Sequence, residues 1–379
     1  MPDVLIVAGE PSGDILAGEL VLAARRLRPV IRCFGATGPT LEAAGAERIV
    51  PTSTLSVMGL TEVVGRLPAA VRAMRRLERA ALERSAIGAV LVDSPDFNLR
   101  LAGRLSRRGI PVVQYVAPTV WAWRPGRTRA LERAVRRVLL TLPFEAEAFS
   151  GSDIDAVYVG HPAIDRIPRP LPDREAVADR AGLPVAARWV ALLPGSREPE
   201  LARLGAPFAK AAARIAERVS DVAFLAPVAA GVAAGMVGEA LAGGPSVTLV
   251  ERDRLDAIGH CQAAIAASGT ASLELALLGV PHVAAYRVSA LTFAAARLLV
   301  RVEHVALPNL IAGKTVVPEL LQGAVQPVAM AAPILTWLGD EDAREEVVVE
   351  LAGVREAVGP PGVAERAARA ALDAMDLAL

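Results

Sequence analysis

Four stretches of this chain carry side chains that strand and helix interiors have no use for. The first, GAVLVDSPDFNL at residues 88–99, ends an apolar run in two carboxylates and an amide. A carboxylate just past a strand end is placed to take a proton from a substrate hydroxyl. Asp96 is the stronger candidate for that base, with Pro95 stiffening the turn and Asn98 close enough to orient it or touch substrate. Asp93 competes, its plain role being to cap the turn. The second, LLPGSREPE, follows an apolar strand: Gly195 permits the turn, Ser196 can cap the next helix, and Arg197 puts a fixed cation at that helix's positive end. A diphosphate suits this arrangement, while an Arg197 pair with Glu198 or Glu200 is the plain alternative. In the third, AIAASGTASLELALLGVP, Ser268, Gly269 and Thr270 open a helix whose backbone N–H groups can cradle phosphate without a metal. Glu274 follows, either to hold the two hydroxyls of a ribose or to serve as a capping-box partner. The fourth, VAGEPSGDILAGEL, has glycines off the G-x-G-x-x-G spacing of a dinucleotide site, and Ser12 or Asp14 reads as a helix cap.

Further polar groups stand among apolar neighbours. HVALPNLIAGKTVVPELLQ sets Asn309, Glu319 and Gln322 in a loop too apolar for a solvated surface. His161, in GHP, reads as a structural hydrogen-bonding residue. Cys33 and Cys261 make no disulfide framework, and four scattered histidines offer no metal-ligand pair.

Short apolar runs alternating with helical patterns must position these residues, which is the signature of parallel α/β sheets. Strands are expected at Val4–Ala8, Ile31–Gly35, Ala89–Asp93, Pro111–Val116, Arg137–Leu142 and Ala156–Val159. A second series follows at Trp189–Leu193, Ala223–Pro227, Ser246–Val250, Ala263–Ala267 and His282–Tyr286. A Pro- and charge-rich stretch over 163–187 reads as a linker with a short helix. The expectation is two Rossmann-like doubly wound domains facing across a cleft, residues 1–165 and 185–340. C-terminal helices over 341–379 would pack back on the first domain. Length agrees, since 379 residues exceed one ordinary domain and 53% of them are hydrophobic. A formal charge of zero argues against a protein that works by neutralising nucleic-acid phosphates. The opening MPDVLIVAGE reaches a strand at once, without a basic region or cleavage site, and no run of about 18 apolar residues occurs. A cytoplasmic protein is the simple reading.

Residues 55–84 form an amphipathic helical pattern. Leu60, Val63, Val64, Leu67, Val71 and Met74 share one face, and Arg66, Arg72, Arg75, Arg76 and Arg79 the other. An ordinary core helix is one reading. Val57 and Met58, just before it, suit a solvated loop poorly and favour contact with an anionic membrane surface.

Taken together, VAGEPSGD, SVMGLTEV, DSPDFNL, YVAPTVWAWRPGR, LPFEAEAF, VGHPAID, LLPGSR, ASGTASLE and LPNLIAG…PELLQ closely resemble the lipid-A-disaccharide synthase family. The motifs stand in the family's order and run from residue 4 to about 322. SVMGL and VWAWR are the most specific, since no general nucleotide-binding fold requires them. The resemblance implies a glycosyltransferase-B fold and an inverting transfer. The sugar of UDP-2,3-diacylglucosamine goes to the 6-hydroxyl of 2,3-diacylglucosamine 1-phosphate, giving the β-1,6-linked disaccharide and UDP, with no metal or other cofactor. It implies Asp96 as base and Glu10, Ser12, Asp14 and Asn98 on the acceptor side. On the donor side it implies Gly195, Ser196, Arg197, Ser268, Gly269, Thr270, Glu274 and Asn309. Because both substrates are acylated, it also implies peripheral contact with the inner face of the cytoplasmic membrane through Val57, Met58, Leu60, Val63, Val64 and Leu67, and leaves oligomeric state open. Rival expectations are another UDP-sugar transferase or a UDP-N-acetylglucosamine 2-epimerase of the same fold, and a non-catalytic nucleotide-sugar binding protein.

Overall fold

The computed structural model describes residues 1–55, 63–118, 127–229, 232–289, 293 and 303–377. The chain forms two compact units, Met1–Asp165 with Pro360–Leu379, and Arg166–Gly359.

The first unit is a seven-stranded sheet, β1 (Asp3–Ala8), β2 (Arg32–Thr37), β3 (Glu47–Pro51), β4 (Gly88–Val92), β5 (Val112–Tyr115), β6 (Arg137–Leu140) and β7 (Asp155–Tyr158). All pairings are parallel, in the order β3-β2-β1-β4-β5-β6-β7. Every residue of β1 and β4 is buried. Helices cover both faces of a parallel sheet, so its strands read as unbroken apolar runs. The crossovers include α1 (Pro11–Leu27), α2 (Pro39–Ala43), α3 (Val63–Glu83), α4 (Pro95–Ser106) and α5 (Arg127–Ala134). In α3 the face carrying Ala73, Met74, Leu77 and Ala81 is buried in this unit's own core, and Arg72, Arg75, Arg76 and Arg79 are exposed. From residue 73 onward α3 is therefore a core helix. Val57, Met58 and Leu60 lie outside the described residues, as does the whole of VWAWR. Of Val63, Val64 and Leu67 only the helical backbone is described.

The second unit has α6 (Arg174–Ala181), β8 (Arg188–Leu193), α7 (Glu198–Ala216), β9 (Val222–Pro227), α8 (Ala234–Ala240), β10 (Val247–Val250), α9 (Arg254–Gly259), β11 (Ala263–Ala267), α10 (Thr270–Leu278), β12 (His282–Tyr286) and β13 (Glu319–Leu321). Its sheet is also parallel, ordered β10-β9-β8-β11-β12-β13. Helices Leu307–Ala312, Pro327–Gly339 and Glu341–Val358 complete it.

Two expectations about the chain's joints need correction. The stretch read as a linker is packed structure of the second unit. Asp173 caps α6 by accepting from the amides of Glu175 and Ala176, and Val177, Ala178 and Leu183 bury themselves beside Trp189. The Arg174 guanidinium lies 4.0 Å from the Trp189 ring centroid and donates to the carbonyls of Val185, Ala187 and His260. The C-terminal helices also part company. Glu341–Val358 belongs to the second unit and only Val363–Ala374 to the first. Asp165 receives that last helix, accepting from the amides of Gly362 (2.6 Å), Val363 (3.3 Å) and Ala364 (3.2 Å), while Arg366 donates to the Val159 carbonyl.

In each sheet the chain runs outward to one edge and returns to the middle to build the other side. The reversal leaves a crevice at the carboxyl ends of the two central strands, where open α/β sheets bind ligands. These crevices lie between β1 and β4 and between β8 and β11. The turns that follow those four strands hold the stretches singled out above.

Candidate active site

At the β8/β11 crevice the second unit has a cavity of about 330 Å³, lined by Gly195, Ser196, Arg197, Glu200, Arg254, Ser268, Gly269, Thr270 and Glu274 among others. The turn after β8 folds back on α7. The Ser196 amide donates to Glu200 Oε2 at 2.9 Å, and Gly195, at φ +131°, lies so close that a Cβ there would come within 2.5 Å of Glu200 Cβ. Ser196 is not the helix cap: that position belongs to Arg197, whose side chain makes no capping bond. Arg197 is 68% exposed and lies 3.7 Å from Glu200 Oε1. The plain pairing with Glu200 therefore exists, but it is long and solvated and leaves the guanidinium at the rim of the cavity. Across the crevice Gly269 is the N-cap of α10, so the first-turn amides of this nine-residue helix point into the same space. Ser268 is held from behind, its amide donating to the Ala285 carbonyl at 2.8 Å. A cation facing a helix N-terminus collects an anion.

Glu274 is five residues after the N-cap, where no capping box can form; position three of α10 is Ser272. Its carboxylate, 7% exposed, instead takes both terminal nitrogens of Arg254, at 2.9 and 3.1 Å. Arg254 was invisible to sequence reasoning, because nothing in ERDRLDA ties it to a carboxylate twenty residues later. Ser272 is also engaged. Its Oγ lies 2.7 Å from Nε2 of the fully buried His282, whose Nδ1 is 2.9 Å from the Val280 carbonyl. A carbonyl only accepts, so Nδ1 carries the proton and Nε2 accepts from the Ser272 hydroxyl. Burial pushes the His282 pKa down to about 4, against the Val280 bond that raises it.

Asn309 departs from its donor-side expectation. It is fully buried, donates to Val317 O (2.8 Å) and Glu319 Oε1 (2.7 Å), and accepts from the amides of Val316 and Val317. Two donors and two accepted bonds engage the whole amide in the scaffold. Glu319 extends that scaffold by accepting from the amides of Val305 and Ala306.

In the first unit the turns after β1 and β4 touch. A Cβ on Gly9 would lie 2.2 Å from Ser94 Cβ, so only glycine fits where they meet. Asp93 and Ser94 are both in the left-handed region, at φ +55° and +45°, and Val116 past β5 joins them at +67°. Two buried amides hold these strained peptides. Asn98 donates to the carbonyls of Asp93 (2.5 Å) and Val92 (3.2 Å), and Gln114 to those of Asp93, Tyr115 and Val116. Asn98 is thus buried in the scaffold instead of facing an acceptor. Asp96 sits in the first turn of α4, exposed, where the helix N-terminus favours a carboxylate. Ser12 is exposed and Glu10, the N-cap of α1, is half-buried without a side-chain capping bond. Asp14 is the clearest revision. It is 3% exposed and accepts from the amides of Gly38 (2.7 Å), Thr40 (2.9 Å) and Leu41 (3.3 Å), capping α2 instead of its own helix or a substrate. His161 has the structural role expected, its Nδ1 accepting from the Ala163 amide at 3.2 Å.

Two parallel-sheet units of this topology, each with its crevice at the central strands, define a glycosyltransferase-B fold. Solved structures share it across almost the whole chain. The glycotransferase of kitacinnamycin superposes with a TM-score of 0.66 at 17% identity, covering 98% of this chain and 99% of that one. The UDP-GlcNAc 2-epimerase from Neisseria meningitidis superposes with a TM-score of 0.63 at 9% identity, covering 94% and 97%. At such identities the likeness carries the fold alone. Sequence decides the family: the profile of the lipid-A-disaccharide synthetase family matches residues 4–370. The lipid-A-disaccharide synthase of Anaeromyxobacter dehalogenans (strain 2CP-1) is 45% identical over 374 residues, 98% of this chain and 97% of that protein. The chain belongs to the lipid-A-disaccharide synthase family, hexosyltransferases of lipid A biosynthesis. The rival expectations of an epimerase or a simple binding protein yield to that membership.

Proposed function

We propose that this chain transfers 2,3-diacylglucosamine from its UDP derivative to the 6-hydroxyl of 2,3-diacylglucosamine 1-phosphate, with Asp96 as the base. The Asp96 carboxylate takes the hydroxyl proton as that oxygen attacks the anomeric carbon. The bond from that carbon to the β-phosphate oxygen breaks, its electron pair leaving with UDP, and attack from the opposite face inverts the centre. Arg197 and the first-turn amides of α10 stabilise the charge that develops on the diphosphate, and Glu274 reads the ribose. The observation that carries this reading is the cavity at the β8/β11 crevice, where a cation, a helix N-terminus and a buried carboxylate converge. Contact with the membrane falls to residues 56–71, ahead of the part of α3 that the core consumes. It brings the enzyme to acylated substrates at the inner face of the cytoplasmic membrane.

The test is UDP release with acylated and unacylated glucosamine acceptors. Turnover is expected only with the acylated acceptor, lowered at least about a hundredfold by Asp96→Asn, the scale of general base catalysis. Arg197→Met should weaken UDP binding by about tenfold or more. Equal turnover without acyl chains, or an Asp96→Asn variant at full speed, would overturn the assignment.

A further inference from the structure

Glu274 and Arg254 present a geometry more specific than an ion pair. The Glu274 side chain is 7% exposed, and each of its oxygens accepts one bond from a different terminal nitrogen of one guanidinium. Such a fork fixes the plane of the carboxylate as well as its position. Each carboxylate oxygen has two lone pairs, so one per oxygen remains after Arg254 is served. Both residues line the cavity. Two acceptors fixed side by side match two neighbouring hydroxyls. A carboxylate free to rotate would match them only part of the time and would leave a buried charge without a partner.

The position of Arg254 is itself set by the fold. It is the first residue of α9, directly after Asp253, which turns the chain at the end of β10 through a left-handed conformation (φ +47°). Glu274 comes from α10, the helix that starts with the phosphate-facing residues. The fork therefore ties the β10–α9 turn to α10 one turn in from its N-terminus. One N–H of each terminal nitrogen of Arg254 is committed to Glu274, and in this reading the diphosphate falls to Arg197 and the helix amides.

We infer that Arg254 is a positioning residue that makes Glu274 selective for a vicinal diol, the ribose 2′- and 3′-hydroxyls of the donor nucleotide. The inference rests on the proposed reading of this cavity as the uridine diphosphate site. Arg254 acts through Glu274 and touches neither the diphosphate nor the transferred sugar.

Calorimetric titration of the full chain with UDP and with 2′,3′-dideoxyuridine diphosphate tests it. Wild type is expected to prefer UDP by about tenfold or more, the worth of hydrogen bonds to a buried charge. Arg254→Met should cut that preference to about threefold or less while its affinity for the dideoxy nucleotide stays within about threefold of wild type. Arg254→Lys keeps the charge but cannot make the two-pronged contact. It must show the same selective loss, and it replaces the methionine variant if that one does not fold. An undiminished preference in either folded variant overturns the inference, as does an equal loss for both nucleotides, which would put Arg254 on the diphosphate. Wild type binding both nucleotides equally also overturns it, while leaving the cavity as the diphosphate site. Failure of wild type to bind UDP, or UDP binding untouched by Arg197→Met, would instead sink the reading of the cavity itself.

Discussion

His282 offers a quantitative test of how the α10 helix is held. The imidazole is fully buried, neutral, and bonded to Ser272 in the first turn of that helix. Its pKa falls from the ordinary 6.5 to about 4 because burial penalises the charged ring. Above pH 6.5 folded and unfolded chains alike carry a neutral ring, so the residue adds no pH dependence. Between 6.5 and about 4 only the unfolded chain takes up the proton, so stability is lost as the pH falls through that window. The full loss amounts to about 3 kcal/mol, of which about 2 kcal/mol falls between pH 7 and pH 5. Urea unfolding followed by circular dichroism at pH 7, 6 and 5 reads this, with the His282→Leu, Ser272→Ala double variant as reference. Replacing both partners leaves no unpaired hydroxyl and removes the titrating ring, while other ionisable groups cancel in the difference. Wild type should lose about 2 kcal/mol more than the double variant on going to pH 5. Parallel stability curves for the two proteins, or a wild type that gains on acidification, would refute the reasoning.

Three further outcomes follow from the first unit. Asp14→Ala strands three amides at the start of α2 and should cost about 2–3 kcal/mol of stability by chemical denaturation, whether or not UDP is present. Gly9→Ala forces apart the turns after β1 and β4 and should destabilise by about 1–3 kcal/mol while lowering kcat; unchanged melting and turnover would show the contact to be slack. Replacing Val63, Val64 and Leu67 together with Ser should weaken sedimentation with anionic vesicles and leave UDP affinity intact, whereas equal sedimentation would remove the membrane role of this segment.

What could be read from the sequence is what is written in one stretch of it. The buried strands stood out as apolar runs because helices cover both sheet faces, and β11 and β12 fall on Ala263–Ala267 and His282–Tyr286 as expected. The two missed strands are atypical. β3 is ERIVP, exposed at three of five positions, and β13 is three half-buried residues at a sheet edge. The turns after β1, β4, β8 and β11 were legible from their glycines, prolines and polar side chains. Partnerships across the fold were not. Asp14 looked like a cap for its own helix or a substrate contact because its real partners lie 24 to 27 residues away. Arg254 was missed in the same way, its partner Glu274 lying twenty residues away, and Asn309 looked functional because a polar residue in an apolar loop reads alike whether it faces a ligand or pins a backbone. Contact distance, and not residue type, separates those cases.

The helix Val363–Ala374 makes the first unit depend on two stretches far apart in sequence. Ala368, Ala371, Leu372 and Met375 cover Val4, Ile6, Leu20, Cys33 and Val90, the oily back of the N-terminal sheet. On the ribosome that surface stays uncovered until Val363–Ala374 has been made, by which point the second unit already has all its strands. A chain stopped at Gly359 should therefore yield a protease-sensitive first half joined to a resistant second one, and equal resistance of both halves would show that the sheet closes without its final helix.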